Sequence, residues 1–232
     1  MTSAPVPTGT DTDASKPRVA AFDVDGTLTA ADCVVPFLRR TVGTPTLVRR
    51  MLRSPLGLTR AGLRRDRDAL KAASAAATFR GLPIELVRAD AEVFAREVHD
   101  RRLRREVVQS LHGHLEAGDT VLLVSASFEV YLQPLAKLLG AHDVLAVRLE
   151  VDDDGILTGG LEGLNCRGPE KVVRLHDWLD RHAGGRAAVH LSAYGDSRGD
   201  RELLADADEA HWLGRGAMPG AMPGGTPGVM PR

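Results

Sequence analysis

Two aspartates one residue apart, Asp23 and Asp25, close the short apolar run Val19–Phe22, and Gly26 follows them at once. An apolar run of that length, bounded by basic and turn residues, predicts a buried strand of a parallel sheet. The carboxylates then stand at its C-terminal end, where open α/β sheets bind ligands. Side chains alternate along a strand, so Asp23 and Asp25 share a face, and one can attack while the other handles a proton. Gly26 allows a sharp turn that brings backbone N–H groups towards an anion. By itself this pair also fits a lone metal site. Three further points in the chain narrow the choice: Ser125 after the run Thr120–Val124, Lys171 just inside a helix start marked by Pro169, and Asp196 with Asp200 after another apolar run. That set meets the needs of phosphoryl transfer to a carboxylate. Asp23 and Asp196 would hold Mg²⁺, a hard cation satisfied by few protein oxygens, with the Asp25 carbonyl as a third ligand. The Ser125 hydroxyl and the Lys171 ammonium would bind the equatorial phosphoryl oxygens, and metal and lysine together would keep Asp23 ionised as nucleophile. Asp25 would act as general acid and then as base, with Asp200 supporting Lys171 or a metal-bound water from behind. Gly26, Thr27 and Ala126 complete the phosphate-binding set.

The elements that must position these residues alternate between strand and helix, with one interruption. From Asp32 to about residue 105 the apolar spacing is helical throughout. Leu47, Val48, Met51 and Leu52 fall on one face; a helix spans about Gly62 to Phe79, and another starts at Pro83. Alternation then resumes with a helix over Arg104–Ala117, a strand over Thr120–Val124 and a helix over Phe128–Leu139 containing Pro134. A hairpin turns on Asp152–Gly155, a helix runs from Glu170 to about His182, a strand spans Ala187–Ala193, and an edge strand covers Glu209–Leu213. The expected organisation is an α/β Rossmann-like catalytic core (18–31 and 106–213), an all-helical cap (32–105), and disordered tails (1–17 and 214–232).

In order, the motifs FDVDGTLT, LLVSAS, GPEK and YGDSRGD resemble those of the haloacid dehalogenase superfamily of aspartate-nucleophile phosphatases, in the subfamily that includes phosphoserine phosphatase. The resemblance covers residues 18 to about 213. It implies a parallel core with the first strand central, Mg²⁺ dependence, the roles assigned above and a cap between the first two motifs. Asp32 stands where phosphoserine phosphatases usually carry the Glu that holds the substrate amine, and GDSRGD replaces their GDGxND. The stretches DGTLTxxD…PFLRR, NCRGPEK and GDSRGDRELL are more similar to uncharacterised relatives and to the phosphatidylglycerophosphate phosphatases of the same subfamily. Asp32 and Arg198 are candidate substrate contacts, Arg198 facing either the substrate or solvent.

Composition bounds the remaining readings. Lys and Arg number 30 against 31 Asp and Glu in 232 residues, so overall charge does not suit a nucleic-acid binder. Two cysteines, Cys33 and Cys166, suit a reducing cytosol, with their pairing left open. The N-terminal stretch lacks the basic and apolar regions of a signal peptide, and no apolar stretch is long enough to span a bilayer. Between Arg39 and Lys71, ten Lys or Arg face two Asp. That run is either a solvated helical face or a basic surface for an anionic lipid headgroup. The expected activity is hydrolysis of a small phosphorylated metabolite. The alternatives are a lipid-phosphate phosphatase at a membrane surface and a phosphate-binding protein without turnover.

Overall fold

A computed structural model of the chain describes residues 16–52 and 67–217. Val19–Phe22 is buried because β1 (Arg18–Phe22) lies in the middle of a six-stranded sheet. β1 pairs in parallel with β2 (Thr120–Phe128) on one side and β5 (His190–Gly195) on the other. β3 (Asp143–Val151) continues the sheet beyond β2, β4 (Leu157–Glu162) adds antiparallel to β3, and β6 (Glu209–Trp212) lies parallel to β5. The order β4-β3-β2-β1-β5-β6 reverses direction at β1. A crevice therefore opens beyond the C-terminal ends of β1, β2 and β5, where such sheets bind ligands.

Eight α-helices complete the described chain: α1 (Val34–Val42), α2 (Thr44–Leu52), α3 (Arg67–Phe79), α4 (Ile84–Arg101), α5 (Arg105–Glu116), α6 (Glu129–Leu139), α7 (Pro169–His182) and α8 (Arg201–Asp206). The mixed α/β fold with its central first strand agrees with the sequence reading. Two local expectations change. β2 does not stop at Val124; it continues to Phe128 with a register shift, which carries Ser125 and Ser127 in the same strand. The expected strand over Ala187–Ala193 starts only at His190. Arg186–Ala188 instead forms a 3₁₀ turn, because the Arg186 guanidinium is anchored on the Asp206 carbonyl and carboxylate. Most of both expected tails, and the start of the helix expected from Gly62, lie outside the described residues. Pro17 already accepts a hydrogen bond from His190 N, and Gly216 accepts one from Trp212 Nε1.

The helical insertion is fastened to the sheet at both ends. Its two linkers run side by side, with Ala30 N donating to Arg102 O and Arg104 N to Leu28 O. Its turn after α3 is stitched to the β3–β4 hairpin, where Gly81 N donates to Leu157 O and Leu157 N to Leu82 O. Phe37, Phe79 and Phe94 of the insertion pack with Phe128 and Tyr131 of the α/β part. Ring centroids lie 4.8 Å apart for Phe37–Tyr131 and 5.3 Å for both Phe79–Phe128 and Phe94–Tyr131. One hydrophobic core thus runs through both parts. Phe79→Ala should cost about 3–5 kcal/mol. Trp178 and Trp212 lie outside the insertion, so urea unfolding read by their fluorescence checks the sharing. A midpoint that does not move would mean that the insertion melts as a separate unit.

Candidate active site

Each predicted residue reaches the crevice from a different element. Asp23 follows β1 directly; its N–H donates to Tyr194 O, continuing the ladder with β5 for one residue. Its carboxylate is buried and accepts a 2.6 Å hydrogen bond at Oδ1 from Lys171 Nζ, while Oδ2 has no partner among the described residues. Lys171 lies in the first turn of α7, only 1% exposed, and also donates to Asp200 Oδ1 at 2.6 Å. Asp200 in turn accepts at Oδ2 from the Ser197 hydroxyl and the Ser197 N–H. A carboxylate–ammonium–carboxylate chain therefore fixes the lysine between two acceptors.

Burial and charge shape these groups. Burial pushes the Asp23 carboxyl up to about 7, with Lys171 pulling it down and Asp200 pushing it up. Burial also works against the charge on Lys171, yet the two carboxylates outweigh it and raise the ammonium above its ordinary value. In Asp200 burial is likewise overcome by Lys171 and Ser197, and its carboxyl titrates low.

Asp25 is held in a different way. Oδ1 accepts from the Cys33 N–H at 2.8 Å and Oδ2 from the Ser127 hydroxyl. Both donors are neutral, and burial keeps its carboxyl above the ordinary range despite them. Cys33 itself is buried, and its thiol is pushed up to about 12 by burial and the nearby Asp25. It is a thiol and no nucleophile. Cys33 and Cys166 are both free, which settles their pairing.

Ser125 is buried at the same strand end, its Oγ accepting from Ser127 N so that its own proton remains available to a ligand. Asp196 approaches from the β5 end. Gly26, at φ +89°, makes that approach possible, because a Cβ on residue 26 would collide with Asp196 Oδ2. The Thr27 hydroxyl reaches Asp196 Oδ1 at 3.4 Å, and Arg104 Nη1 holds the Gly26 carbonyl at 3.0 Å. Burial, then Asp200, raises the Asp196 carboxyl.

Oxygen atoms of Asp23, Asp196 and Asp200 lie within 4.8 Å of one another, a set of hard donors that fits Mg²⁺. Lys171 and Ser197 already occupy both Asp200 oxygens. That leaves oxygens of Asp23 and Asp196 open to a cation, with Asp200 behind them. No histidine joins a metal-holding group among the described residues.

A cavity of about 350 Å³ opens over these groups, and Ala126 and Asp32 also line it. Asp32 spends Oδ1 on the Val35 N–H, capping the start of α1. Arg198 is exposed and absent from the cavity wall; Arg167 stands there instead. Three residues of the site escaped the sequence reading in this role. Ser127 was legible, since it lies two residues from Ser125 on one strand and so shares its face. Arg167 is four residues before Lys171 in a motif read only for its lysine. Lys71 carried no signal beyond its place in a basic run.

The described members of that run are used in different ways. Arg40 pairs with Asp90 and Glu97, Arg50 donates to Thr78 O, and Lys71 lines the cavity. Arg39 and Arg49 are exposed, while Arg53, Arg60, Arg64 and Arg65 lie outside the described residues. Among the described residues no helix is long and apolar enough to cross a membrane.

Residues 20–205 match the family model for haloacid dehalogenase-like hydrolases. Protein CicA of Caulobacter vibrioides is 37% identical over 194 residues, which cover 84% of this chain and 85% of CicA. A crystal structure of a protein of unknown function from Bordetella pertussis superposes with a TM-score of 0.68 at 28% identity, over 85% of this chain and 90% of that one. A probable phosphoserine phosphatase from Vibrio cholerae shares the fold, with a TM-score of 0.59 at 16% identity, over 86% of this chain and 57% of its own.

Proposed function

Because the chain belongs to the haloacid dehalogenase-like hydrolases, we propose that it is a Mg²⁺-dependent phosphatase of a small phosphorylated metabolite, acting through an aspartyl-phosphate on Asp23. The observation that carries this reading is the division of labour between two carboxylates at one strand end. Asp23 rests on an ammonium with one oxygen free, while Asp25 is held by neutral donors; burial raises both carboxyls, and at Asp23 the Lys171 ammonium pulls the other way. A nucleophile needs the first environment and a proton donor the second.

Bound by Asp23, Asp196 and the Asp25 carbonyl, Mg²⁺ would supply positive charge beside the phosphoryl oxygens. Lys171 and the Ser125 hydroxyl hold the transferring group from the protein side. Asp23 Oδ2 attacks phosphorus, the bond from phosphorus to the ester oxygen breaks, and Asp25 gives its proton to that oxygen. Asp25, now ionised, takes a proton from water; the water oxygen bonds to phosphorus, the bond to Asp23 breaks, and phosphate leaves. Asp25 serves both steps, so Asp25→Asn should slow formation and breakdown of the aspartyl-phosphate by about 10²-fold or more. Rapid-quench trapping with p-nitrophenyl phosphate and Mg²⁺ tests this directly. If the variant turned over normally, or the wild type worked equally well in excess chelator, the reading would fail.

Cation binding should depend on pH in a defined direction. Asp23 is raised to about 7, so the metal-free fold keeps its proton up to that pH, and binding must release it. The apparent Mg²⁺ affinity should fall by up to about tenfold per pH unit below pH 7 and level off above it. Calorimetric titration between pH 5.5 and 8.5 gives the slope. An affinity independent of pH would contradict this assignment of the ligand.

A further inference from the structure

The cavity wall carries three cations beside its carboxylates, and they are not used alike. Lys171 is committed to Asp23 and Asp200. Lys71 reaches in from α3, its Nζ 3.5 Å from Asn165 Oδ1 and 5.2 Å from the centre of the Phe128 ring. Arg167 differs from both. Its side chain lines a cavity that also contains Asp23, Asp25, Asp32, Asp196 and Asp200, yet its guanidinium forms no hydrogen bond or ion pair with any described residue. An arginine that pairs with none of five nearby carboxylates is not there to neutralise them.

Its placement is nevertheless fixed. Arg167 N donates to Asn165 O at 2.7 Å, and the next residue, Gly168, donates to Gly199 O at 2.8 Å. The side chain lies against Gly199, where a Cβ would meet Arg167 Cγ and Nε at 3.1 Å. Arg167 therefore rests on the Asp196–Asp200 loop, while Asn165 brings it and Lys71 to the same side of the cavity. At about 350 Å³ the cavity holds on the order of ten water volumes, far more than one phosphoryl group fills.

We infer that Arg167, with Lys71 beside it, binds a second anionic group on the leaving-group portion of the substrate. The substrate class is then a phosphomonoester that also carries a carboxylate or a phosphodiester. This deepens the phosphatase reading and rests on it. A planar guanidinium presents paired donors to either anion, which a neutral alcohol leaving group cannot satisfy.

The test compares matched esters in the presence of Mg²⁺. O-phosphoserine against O-phosphoethanolamine isolates a carboxylate; a glycerol phosphate ester bearing a phosphodiester against glycerol 3-phosphate isolates the other anion. Wild type should favour the anionic member of one pair by about tenfold or more in kcat/KM, chiefly through KM, and the favoured pair identifies the anion. In Arg167→Met that ratio should fall to near one, and Arg167→Lys should restore part of it. A wild type without preference in either pair would overturn the subsite. So would an Arg167→Met variant that loses equally on both members, because the arginine would then serve the transferred phosphoryl or the fold. Binding of phosphonoacetate against methylphosphonate, followed by calorimetry, reads the same preference without turnover. If the wild type hydrolyses no ester yet prefers phosphonoacetate in an Arg167-dependent way, the phosphatase reading fails and the subsite survives. If it hydrolyses both members of each pair equally and binds both phosphonates equally, only the subsite fails.

Discussion

Asp23→Asn should turn over p-nitrophenyl phosphate at least about 10³-fold more slowly than the wild type while keeping its fold. The side-chain amide fills the same volume and can present its oxygen to Lys171, which donates to Oδ1 in the wild type. What it lacks is the second carboxylate oxygen, the one left free towards the cavity. Lys171 keeps its other anion, Asp200, so the buried ammonium is not stranded. Stability should move the opposite way from activity. The folded protein holds the Asp23 proton up to about pH 7, well above the value of an exposed aspartate, so ionising it costs stability as pH rises through that window. The amide never ionises. Without Mg²⁺ the variant should therefore melt no lower than the wild type at pH 8. Near-wild-type turnover would remove Asp23 as nucleophile, and a large loss of thermal stability would show that its role is structural.

How much of this was legible in the sequence follows from the physics of each signal. Asp23, Asp25 and Asp196 were legible because they follow buried parallel strands, and Ser125 because it follows the apolar part of one; such strands leave an unmistakable apolar run. The order of β1, β2 and β5 in the sheet then brings those ends together. Lys171 could be read from its place after Pro169 at a helix start. Arg167 and Arg198 illustrate the limit. Both are arginines inside motifs; the sequence reading named Arg198 as a candidate contact and gave Arg167 no role. The choice is made by the backbone: Gly168 turns at φ +59° and lays Arg167 across Gly199, while Arg198 is the exposed first residue of a 3₁₀ turn whose other two residues are buried. The sharing of one core between insertion and sheet was illegible for a similar reason. Phe37, Phe79 and Phe94 fall in stretches read only as helical, and periodicity says which face is buried but not against what.

Lys171→Met should lose activity to a similar degree and, unlike Asp23→Asn, should also lose stability. Methionine fits the volume of the buried side chain but leaves Asp23 and Asp200 facing each other without the ammonium that is 2.6 Å from both. Removing one partner from a buried ionic set costs about 3–5 kcal/mol, because the charges left behind stay desolvated. The loss should depend on pH. Without the lysine Asp23, already above its unfolded value, rises further and Asp200 loses the ammonium that holds it low, so the folded state takes up protons on acidification, and the deficit should be larger at pH 8 than at pH 5. Adding Asp200→Asn to Lys171→Met removes the repulsion and should recover part of the stability at pH 8, but none of the turnover, since the phosphoryl group still lacks its cation. Urea unfolding of the two variants at both pH values, beside their rates with p-nitrophenyl phosphate, separates these effects. A Lys171→Met protein as stable as the wild type at pH 8 would mean that the two carboxylates had already shed their charge without it. The ion chain could then no longer be what holds Asp23 ready to attack.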